Sequence, residues 1–540
     1  MRRLIFAACL CVLLVSGCVP MLPPPEPTAA PAPRPAATQP ALRATSAPTV
    51  TRAAAASIAS SNATSAPTPK PPLADWRIYE AALRPATAQR LVSELRPSGS
   101  PAGSLAGMTQ YSLTVTLAPD LSRVDGAALV RYTNRENVPL NEVYFHLFPN
   151  IWDGGMTVSD VQVAGQPVEA VLESSDDLLR VPLRQPLQPG QAVDIAMGFR
   201  VPVPTNTDVG NYGDFAYVDD VLAMAHFYPT VVVYDDQGWH RETPATQGDV
   251  IYHDASLYDV SLTAPADLTL AATGSTLERV AHADGTATWR LVGGPMRDFN
   301  VVASKRYQSA SQKAGDVTVT SYFLPEQAAG GQKTLDWASQ ALQVYETEFG
   351  PYPYTELDVV ETATTAGGIE YPGMVVIASR LYDDRNRSDF FEGATVHEVA
   401  HQWWYNVVGN DQVNDPWLDE ALTQYSTYFH YDQAYGKPGA QGFLDSLRAR
   451  WSRVNYAEKP IGLPVSEYQD QEYSAIVYGR GPLFLFALRD RIGADKMAEL
   501  LRRYYAEYSW KIATPYEFRR LAEEVSGQNL GDLWAKWVNP

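Results

Sequence analysis

The chain has 540 residues, of which 61 are acidic and 42 are basic, so its formal net charge is −19 at pH 7. Negative charge of this size repels nucleic acid and anionic membrane surfaces, which argues against a DNA- or RNA-binding protein. With 45% apolar residues, the chain is long enough for two or three domains, because single hydrophobic cores stop growing at about 250–300 residues.

The first residues have the pattern of a secretory signal peptide. Arg2 and Arg3 precede an apolar run from Leu4 to Val15, and small residues follow the run. The run is too short to cross a bilayer as a helix, which takes roughly 20 residues. We therefore predict a signal peptide of the lipoprotein type over residues 1–17.

A lipid-attachment motif follows directly. The sequence VSGC, which ends at Cys18, resembles a bacterial lipobox, in which the cysteine becomes the lipidated first residue of the mature chain. The other cysteines, Cys9 and Cys11, lie in the segment that cleavage removes, which excludes disulfides and thiolate metal sites. We predict lipidation at Cys18, which would anchor a cell-envelope protein to a membrane surface with its catalytic part outside the cytoplasm. An ordinary signal peptide with a chance cysteine is the alternative.

Residues 18–75 have the composition of a disordered linker. Pro, Ala, Ser and Thr dominate this segment, and no aromatic residue occurs in it. Such a segment cannot bury enough apolar area to offset its ordering entropy. We predict a flexible tether between the lipidated cysteine and the folded part. Residues 76–104 are predicted to form a short helical or extended docking segment.

Residues 105–310 have the pattern of an antiparallel β domain. Alternating apolar residues such as Tyr111, Leu113 and Val115 lie on one face of a strand, and clusters of turn residues separate successive strands. Several histidines are scattered through this region without the spacing of metal ligands. We predict that each makes an ordinary hydrogen bond in a strand or loop: His146, His226, His240, His253 and His282.

From residue 311 to residue 540 the pattern becomes mainly helical. Leu335, Ala338 and Leu342 recur at helical spacing, and a GPYPY segment ends that run. Most segments from residue 390 onwards have the same periodicity. Together with the β-rich region, this pattern predicts a multidomain α+β protein with a mainly α C-terminal domain.

The segment ATVHEVAHQWW, from residue 394 to residue 404, places His397 and His401 four positions apart. On a helix these positions are one turn apart and about 40° apart around the axis, so both imidazoles can reach one ion. Glu398 can face a water molecule on the same metal. The pattern also arises by chance, and an amphipathic helix with solvated His and Glu side chains is the structural alternative.

A catalytic zinc takes three protein ligands and leaves a fourth position for water. Glu420 lies 19 residues beyond His401, a separation that lets a loop and a second helix return beside the first. Asp415 and Asp419 are close in sequence but lie on other faces of that segment. We predict one Zn²⁺ per chain, bound by His397, His401 and Glu420, and we favour zinc over cobalt or manganese because of the ligand types.

Three segments together resemble the aminopeptidase N family of gluzincin zinc metallopeptidases. They are HEVAHQWWYNVVGNDQVNDPWLDEALTQY from residue 397, GGIEY at 367–371, and IVYGRGPLFLFALRDRIG from residue 476. They occur in the order found in the family and follow a β domain that ends in DFNVVAS. The resemblance implies a β-sandwich-like N-terminal domain, a thermolysin-like catalytic domain, and hydrolysis of N-terminal residues from peptide substrates. It is closest to a short form that lacks the large C-terminal helical domain of longer members.

The resemblance also implies a role for each matched residue. A carboxylate in the GGIEY motif would bind the free α-amine of the substrate, and a tyrosine would stabilise the negative charge of the transition state. The implied metal ligands are His397, His401 and Glu420, the implied catalytic residues are Glu398 and Tyr478, and the implied substrate contacts are Glu370, Gly367 and Gly368.

The chain departs from the family pattern at three points. Tyr371 replaces the usual Asn of the exopeptidase motif, and Gly368 replaces the usual Ala. The glutamine motif that helps to bind the amine in the β domain is absent, and AMAHFYP occurs about where it is expected. These departures leave a zinc endopeptidase with weak amine anchoring as one alternative. A non-catalytic metal-binding scaffold lipoprotein and a zinc hydrolase of a non-peptide substrate are the others.

Overall fold

The computed structural model describes most of the chain beyond the predicted linker. The predicted signal peptide, the predicted lipidation site Cys18 and the predicted linker lie outside the described residues. The described residues are 76–94, 105, 107–152, 154–206, 212–243, 247–249, 251–383, 389–469 and 471–539.

The first two-thirds of the described chain consists mainly of β-strands. The strands in this region are β1 Gln110–Leu117, β2 Arg123–Thr133, β3 Leu140–His146, β4 Thr157–Val163, β5 Gln166–Pro167, β6 Val171–Glu173, β7 Leu178–Leu187, β8 Ala192–Pro202, β9 Phe215–Val218, β10 Val221–Met224, β11 Thr230–Val231, β12 Tyr234–Asp235, β13 Gly238–Trp239, β14 Ser256–Pro265, β15 Thr269–Ala272, β16 Ser275–Ala281, β17 Thr286–Met296 and β18 Val301–Ser304. Five more strands follow: β19 Gln308–Ala314, β20 Val317–Phe323, β21 Glu356–Thr362, β22 Gly368–Ile369 and β23 Met374–Ala378.

Helices dominate the part of the chain that carries the HExxH motif. The described α-helices are α1 Pro85–Glu94, α2 Phe148–Ile151, α3 Ala328–Glu348, α4 Asp389–Ala400, α5 Trp417–Ser452, α6 Glu472–Ala475, α7 Gly481–Ile492, α8 Ala494–Tyr508, α9 Pro515–Ser526 and α10 Gly531–Trp537. A π-helical turn, Ile476–Arg480, connects α6 to α7. Among the described helices, none combines the length and the apolar character that a membrane span requires.

The β domain is built from layered sheets. The largest has the strand order β16-β17-β14-β1-β2-β8-β4-β5, and two four-stranded sheets, β15-β18-β10-β9 and β11-β3-β7-β6, accompany it. In β1 the residues predicted to share one face, Tyr111, Leu113, Val115 and Leu117, are all buried, as strand alternation requires. The predicted fold class is confirmed. One pairing differs from the prediction, because β1 and β14 run parallel rather than antiparallel.

The predicted catalytic domain, called the catalytic part below, begins with a mixed sheet of its own. Its strand order is β19-β20-β21-β23-β22, and β20, β21 and β23 run parallel to one another. The predicted boundary between residues 310 and 311 falls inside β19, which pairs with β20 over its whole length. Residues 308–310 therefore belong to the mixed sheet of this part. The sequence signal was weak here, because a strand at the start of a helical region has the same alternation as the strands before it.

The segment before the β domain docks onto the catalytic part. The backbone N–H of Arg84 donates to Pro353 O at 3.0 Å, and the N–H of Thr355 donates to Ala82 O at 3.1 Å. The Arg84 guanidinium donates to Tyr352 O at 2.8 Å and pairs with Glu346. Residues 82–84 of the predicted docking segment, just before α1, thus pack against the loop that follows α3.

Arg297, at the end of the β domain, joins the two parts through a buried guanidinium. Its side chain is only 1% exposed. Among the described residues, its hydrogen-bond partners are all backbone carbonyl oxygens, at 2.7–3.3 Å. Most of them belong to the catalytic part. The acceptors are the carbonyls of His253, Tyr405, Asn406, Val407 and Lys511.

Candidate active site

Two helices bring the predicted metal ligands together. His397 lies in the last turn of α4, and His401 lies just beyond it, with its N–H bonded to His397 O at 3.3 Å. Glu420 lies in the first turn of α5. The distances are 3.1 Å from His397 Nε2 to Glu420 Oε2, 3.1 Å between the two Nε2 atoms, and 3.5 Å from His401 Nε2 to Glu420 Oε2. The three predicted ligands therefore converge.

This donor set fits one divalent cation. Bonds of about 2.0–2.1 Å in a tetrahedral site put neighbouring donor atoms about 3.3 Å apart, which matches all three distances. His401 Nδ1 lies 2.9 Å from Trp404 O and must be protonated to bond with it, so Nε2 carries the lone pair. Burial raises the pKa of Glu420, but His401 and His397 hold it well below its usual range. The third donor is therefore an ionised carboxylate.

Glu398 lies beside the ligands and is tightly packed. Burial, and then the nearby Glu370, raise its pKa well above the usual range, which makes its carboxylate a good proton acceptor. A Cβ on residue 368 would lie 2.5 Å from Glu398 Cγ and 2.6 Å from Glu398 Oε1. Glycine at position 368, where the family usually has Ala, is therefore required by the close approach of Glu398 in this chain.

Glu370 follows the short strand β22 and belongs to a polar network that the sequence did not reveal. Gln412 Nε2 donates to Glu370 Oε1 at 2.8 Å and to Asp419 Oδ2 at 2.6 Å. Asn410 Nδ2 donates to Asp419 Oδ1 at 2.9 Å. Asp419, which was predicted to lie on another face than Glu420, thus orients the amide that holds Glu370. Burial raises the pKa of Asp419 to about 8.

Tyr478 lies in the π-helical turn, at the position implied by the resemblance. Its hydroxyl donates to Glu420 Oε1 at 2.5 Å. Burial, followed by the charge of Glu420, raises the pKa of Tyr478 well above its usual value, so the hydroxyl keeps its proton. A π-helical turn of this kind is frequent at functional sites. The phenol can therefore serve as a hydrogen-bond donor beside the predicted metal.

The site opens into a cavity of about 1040 Å³. All the predicted site residues of the catalytic part line it, including Gly367 and Gly368. The sequence analysis missed several other lining residues, because they come from separate loops with no motif spacing. Those with the strongest chemistry are Asp214, His226 and Asp249 of the β domain, Arg450 in the last turn of α5, and Arg453 directly after that helix.

Two of the β-domain histidines make the predicted ordinary hydrogen bonds. His240 Nε2 lies 2.7 Å from Asp235 Oδ2, and His282 Nε2 lies 2.8 Å from Thr288 Oγ1. His226 differs from the prediction, because it faces the cavity and its buried Nε2 has no hydrogen-bond partner among the described residues. It belongs to the AMAHFYP segment, where the family's glutamine motif was expected. His253 also departs from the prediction, since neither of its ring nitrogens has a described partner.

Comparisons with known proteins agree with this geometry. Residues 333–537 match the Peptidase family M1 domain. The chain is 28% identical to aminopeptidase M1-C of Oryza sativa subsp. japonica over 220 residues, which cover 38% of this chain and 25% of that protein. The M1 zinc metallopeptidase of Deinococcus radiodurans has a TM-score of 0.60 and 20% identity, covering 80% of this chain and 94% of its own.

A mutant of that Deinococcus enzyme, bound to a Tyr-Ser-Ala substrate, has a TM-score of 0.57 and 19% identity. It covers 80% of this chain and 95% of its own. The fold is thus that of two-domain M1 metallopeptidases. Because residues 333–537 match the M1 family model, the predicted resemblance to aminopeptidase N-like gluzincins is confirmed. The chain spans about a quarter of the length of the rice relative.

Proposed function

We propose that this chain is a zinc-dependent aminopeptidase that removes N-terminal residues from peptides. The observation that carries the proposal is the meeting of His397 Nε2, His401 Nε2 and Glu420 Oε2 within 3.5 Å of one another, beside Glu398. A relative named as an aminopeptidase and structural neighbours named as zinc metallopeptidases support it. A non-catalytic scaffold is not favoured, because ligands, base and tyrosine are all present in one cavity.

Glu398 and Tyr478 have different roles in the proposed hydrolysis. Zinc, when bound, supplies a Lewis acid that lowers the pKa of water from 15.7 towards about 7. Glu398 accepts the proton of the attacking water and passes it to the departing amine. The Tyr478 hydroxyl donates a hydrogen bond to the carbonyl oxygen as negative charge grows on it. The support for these roles is the position of the two side chains, because the Tyr478 hydroxyl donates to Glu420 and Glu398 follows His397 in α4.

Substrate orientation follows from the edge of the mixed sheet. Strand β22 has only β23 as a neighbour among the described strands, so its other side is open to an extended peptide. Gly367 and Gly368 line the cavity along this edge. At its end, Glu370 offers a carboxylate, fixed by Gln412, to the free α-amine of the substrate. An endopeptidase is the second candidate, because His226 lies where a glutamine helps to bind the amine in the family.

Hydrolysis of aminoacyl p-nitroanilides tests the proposal. The wild-type protein should hydrolyse them, and a chelator should abolish the reaction until zinc is restored. Glu398→Gln should lower kcat by about a hundredfold to ten-thousandfold, with zinc still bound, because the proton acceptor is lost. Hydrolysis unaffected by Glu398→Gln would contradict the mechanism. Cleavage of N-acetylated peptides as fast as free ones would identify an endopeptidase.

We also propose that the protein is a lipoprotein of the cell envelope. The support is the signal-peptide pattern of residues 1–17 and the lipobox-like sequence that ends at Cys18. Mass spectrometry of the N-terminal peptide should find a diacylglycerol on Cys18. Cys18→Ser should move the protein from the membrane fraction to the soluble fraction. Cleavage at another position with an unmodified Cys18 would favour an ordinary secreted protein.

A further inference from the structure

Two arginines at the C-terminal end of a helix line the substrate cavity. None of the predicted catalytic residues lies at this end of the helix. Helix α5 is interrupted at Gly436, where φ is 63°, and continues to Ser452 beyond the break. Arg450, in its last turn, and Arg453, directly after it, are three positions apart and therefore lie on one face. Both line the cavity that holds the predicted metal ligands.

These arginines have no counter-ion in the described part of the chain. No described carboxylate lies within ion-pair distance of either guanidinium. Arg448 on the same helix differs, since its Nη1 pairs with Asp445 Oδ1 at 2.7 Å. Burial and, to a smaller extent, the positive charge of Arg453 lower the pKa of Arg450, against the opposing effects of Tyr478 and Glu420. Two neighbouring cations at a cavity wall, with no described carboxylate in ion-pair contact, form a site that favours an anion.

Arg450 lies on the Tyr478 side of the catalytic centre. Its Cζ is 5.5 Å from the centre of the Tyr478 ring. Glu370 lies on the other side. One potential ligand atom from each of Glu370, His401 and Asp419 lies within 4.8 Å of the other two. The cavity therefore has an acidic end for a cation, a metal site in its middle, and a basic end for an anion.

We propose that Arg450 and Arg453 bind the C-terminal carboxylate of the substrate, so that the preferred substrates are short peptides with both ends free. This inference rests on the aminopeptidase function proposed above, because it takes the α-amine to be at Glu370 and the scissile carbonyl to be at the metal ligands. An arginine pair suits a carboxylate because the guanidinium forks bind both oxygens.

The dimensions of the site agree with a short substrate. Successive groups from Glu370 to Arg450 are separated by no more than 5.5 Å: 4.8 Å to His401, 3.5 Å on to Glu420, 2.5 Å on to the Tyr478 hydroxyl, and 5.5 Å from that ring to Arg450. An extended peptide covers about 3.3–3.6 Å per residue. These steps do not lie on one line, so their total is an upper bound on the path, and it corresponds to at most about four or five extended residues. The distance from the acidic end to the basic end therefore suits a short peptide.

Paired substrates test the inference without any mutation. Ala-Ala-Ala and its C-terminal amide differ only in the charge at the end of the chain. The free acid should have a kcat/KM about tenfold to a hundredfold higher, chiefly through a lower KM, because the amide cannot form the charge-assisted bonds. Equal values for the two substrates would overturn the proposal.

Substitutions test whether these two arginines discriminate between the free acid and the amide. Arg450→Met keeps most of the aliphatic stem, and together with Arg453→Gln it should bring the ratio of acid to amide close to one. Arg448→Gln, on the same helix but paired with Asp445, is the matched control and should keep the wild-type ratio. If the control alone changed the ratio, the anion site would lie elsewhere. Arg453→Gln alters an exposed residue, so it provides a folded variant if Arg450→Met does not fold.

Two further outcomes distinguish failure of the carboxylate site from failure of the proposed aminopeptidase function. If the wild-type protein hydrolysed no aminoacyl p-nitroanilide with zinc present, the proposed aminopeptidase function itself would fail. If it hydrolysed them but did not distinguish the tripeptide from its amide, only the carboxylate site would fail. A preference for Ala-Asp-amide over Ala-Asn-amide as large as that expected for the free acid would show that the arginines recognise an acidic side chain, and would overturn the proposal.

Discussion

Two groups of buried histidines, one in each part of the molecule, have opposite surroundings. In the β domain, His146, His226 and His253 surround the ring of Phe148, with ring centroids 4.9–5.4 Å from it. In the catalytic part, the rings of His397 and His401 are 4.7 Å apart and face Glu420. Burial is similar in both groups, so it cannot be what makes a histidine a ligand.

The difference lies in the neighbouring charges. Burial lowers the pKa of His146 to about 4, and it lowers the pKa of His253 well below its usual value, so these two rings stay neutral. The third, His226, has one carboxylate nearby, with its Nε2 3.6 Å from Asp298 Oδ2.

At His397 burial lowers the pKa to about 4, although Glu420 opposes this effect. Beside His401 the carboxylates of Glu370 and Glu420 oppose the effect of burial and favour a positive charge. A site that stabilises a proton in this way will also stabilise a metal cation. The predictions below test that contrast.

Removing the charge of the carboxylate ligand should have the largest effect. Glu420→Gln keeps the shape of the side chain but removes the anion, so zinc should be lost. Activity should then fall by well over the roughly 100-fold typical of changes to groups that only hydrogen-bond to a ligand. Metal analysis and p-nitroanilide hydrolysis measure both effects. Glu392→Gln is the matched control, because Glu392 is also paired with a buried histidine, at 2.8 Å, but should leave the zinc content unchanged.

Removing one hydroxyl should have the next largest effect. Tyr478→Phe should lower kcat by about a hundredfold to a thousandfold with little change in KM, because its hydrogen bond is needed only as charge develops. Steady-state kinetics on an alanyl substrate measure this. Tyr473→Phe is the control, since its ring lies 5.6 Å from that of Tyr478 but its buried hydroxyl has no hydrogen-bond partner among the described residues. Equal losses in the two variants would indicate a general packing defect.

Acid should destabilise the β-domain group through His146. Its pKa is about 4 in the folded protein and 6.5 in the reference state, so between these values the unfolded chain binds more protons. Above pH 6.5 this group therefore does not lower the free energy of unfolding. As the pH falls towards 4, the free energy of unfolding decreases by on the order of 3 kcal/mol. Denaturant unfolding at pH 7 and pH 4.5 measures the loss. His146→Phe should reduce this pH dependence, and an unchanged slope would contradict the assignment.

The smallest effect is expected at His253. Because neither ring nitrogen has a described hydrogen-bond partner, His253→Phe should change the free energy of unfolding by less than about 1 kcal/mol or should increase it. Activity should change little, whereas His401→Phe should abolish metal binding. Loss of zinc from the His253→Phe protein would show that the two groups are coupled.

The sequence predicted the metal site well because its ligands lie on two adjacent helices. Helical spacing determines where His397 and His401 point, and the separation to Glu420 is short enough for one loop to close it. Glu370 and Tyr478 could be assigned only through the resemblance. As isolated residues in a chain with 30 tyrosines and 61 acidic side chains, they give no signal of their own.

The remainder of the cavity depends on tertiary packing that spacing cannot predict. Asp214 and Asp249 reach the cavity from loops of the β domain, more than 100 residues before the HExxH motif. Gln412 and Asp419 fix Glu370 through hydrogen bonds across the fold. Likewise, β1 pairs in parallel with β14, although the start of β14 at Ser256 is 139 positions beyond the end of β1 at Leu117. No local pattern encodes such contacts.

The buried Arg297 has a consequence for how the protein can be divided. Its charge is neutralised mainly by carbonyls of the loop that follows His401, and a Cβ on residue 409 of that loop would lie 2.4 Å from the guanidinium carbon. Pulling the two parts apart would expose a cation fitted to its acceptors and would release the backbone beside the metal ligands. A truncated M1 domain should therefore be a poor enzyme, and the intact molecule should melt in a single cooperative transition.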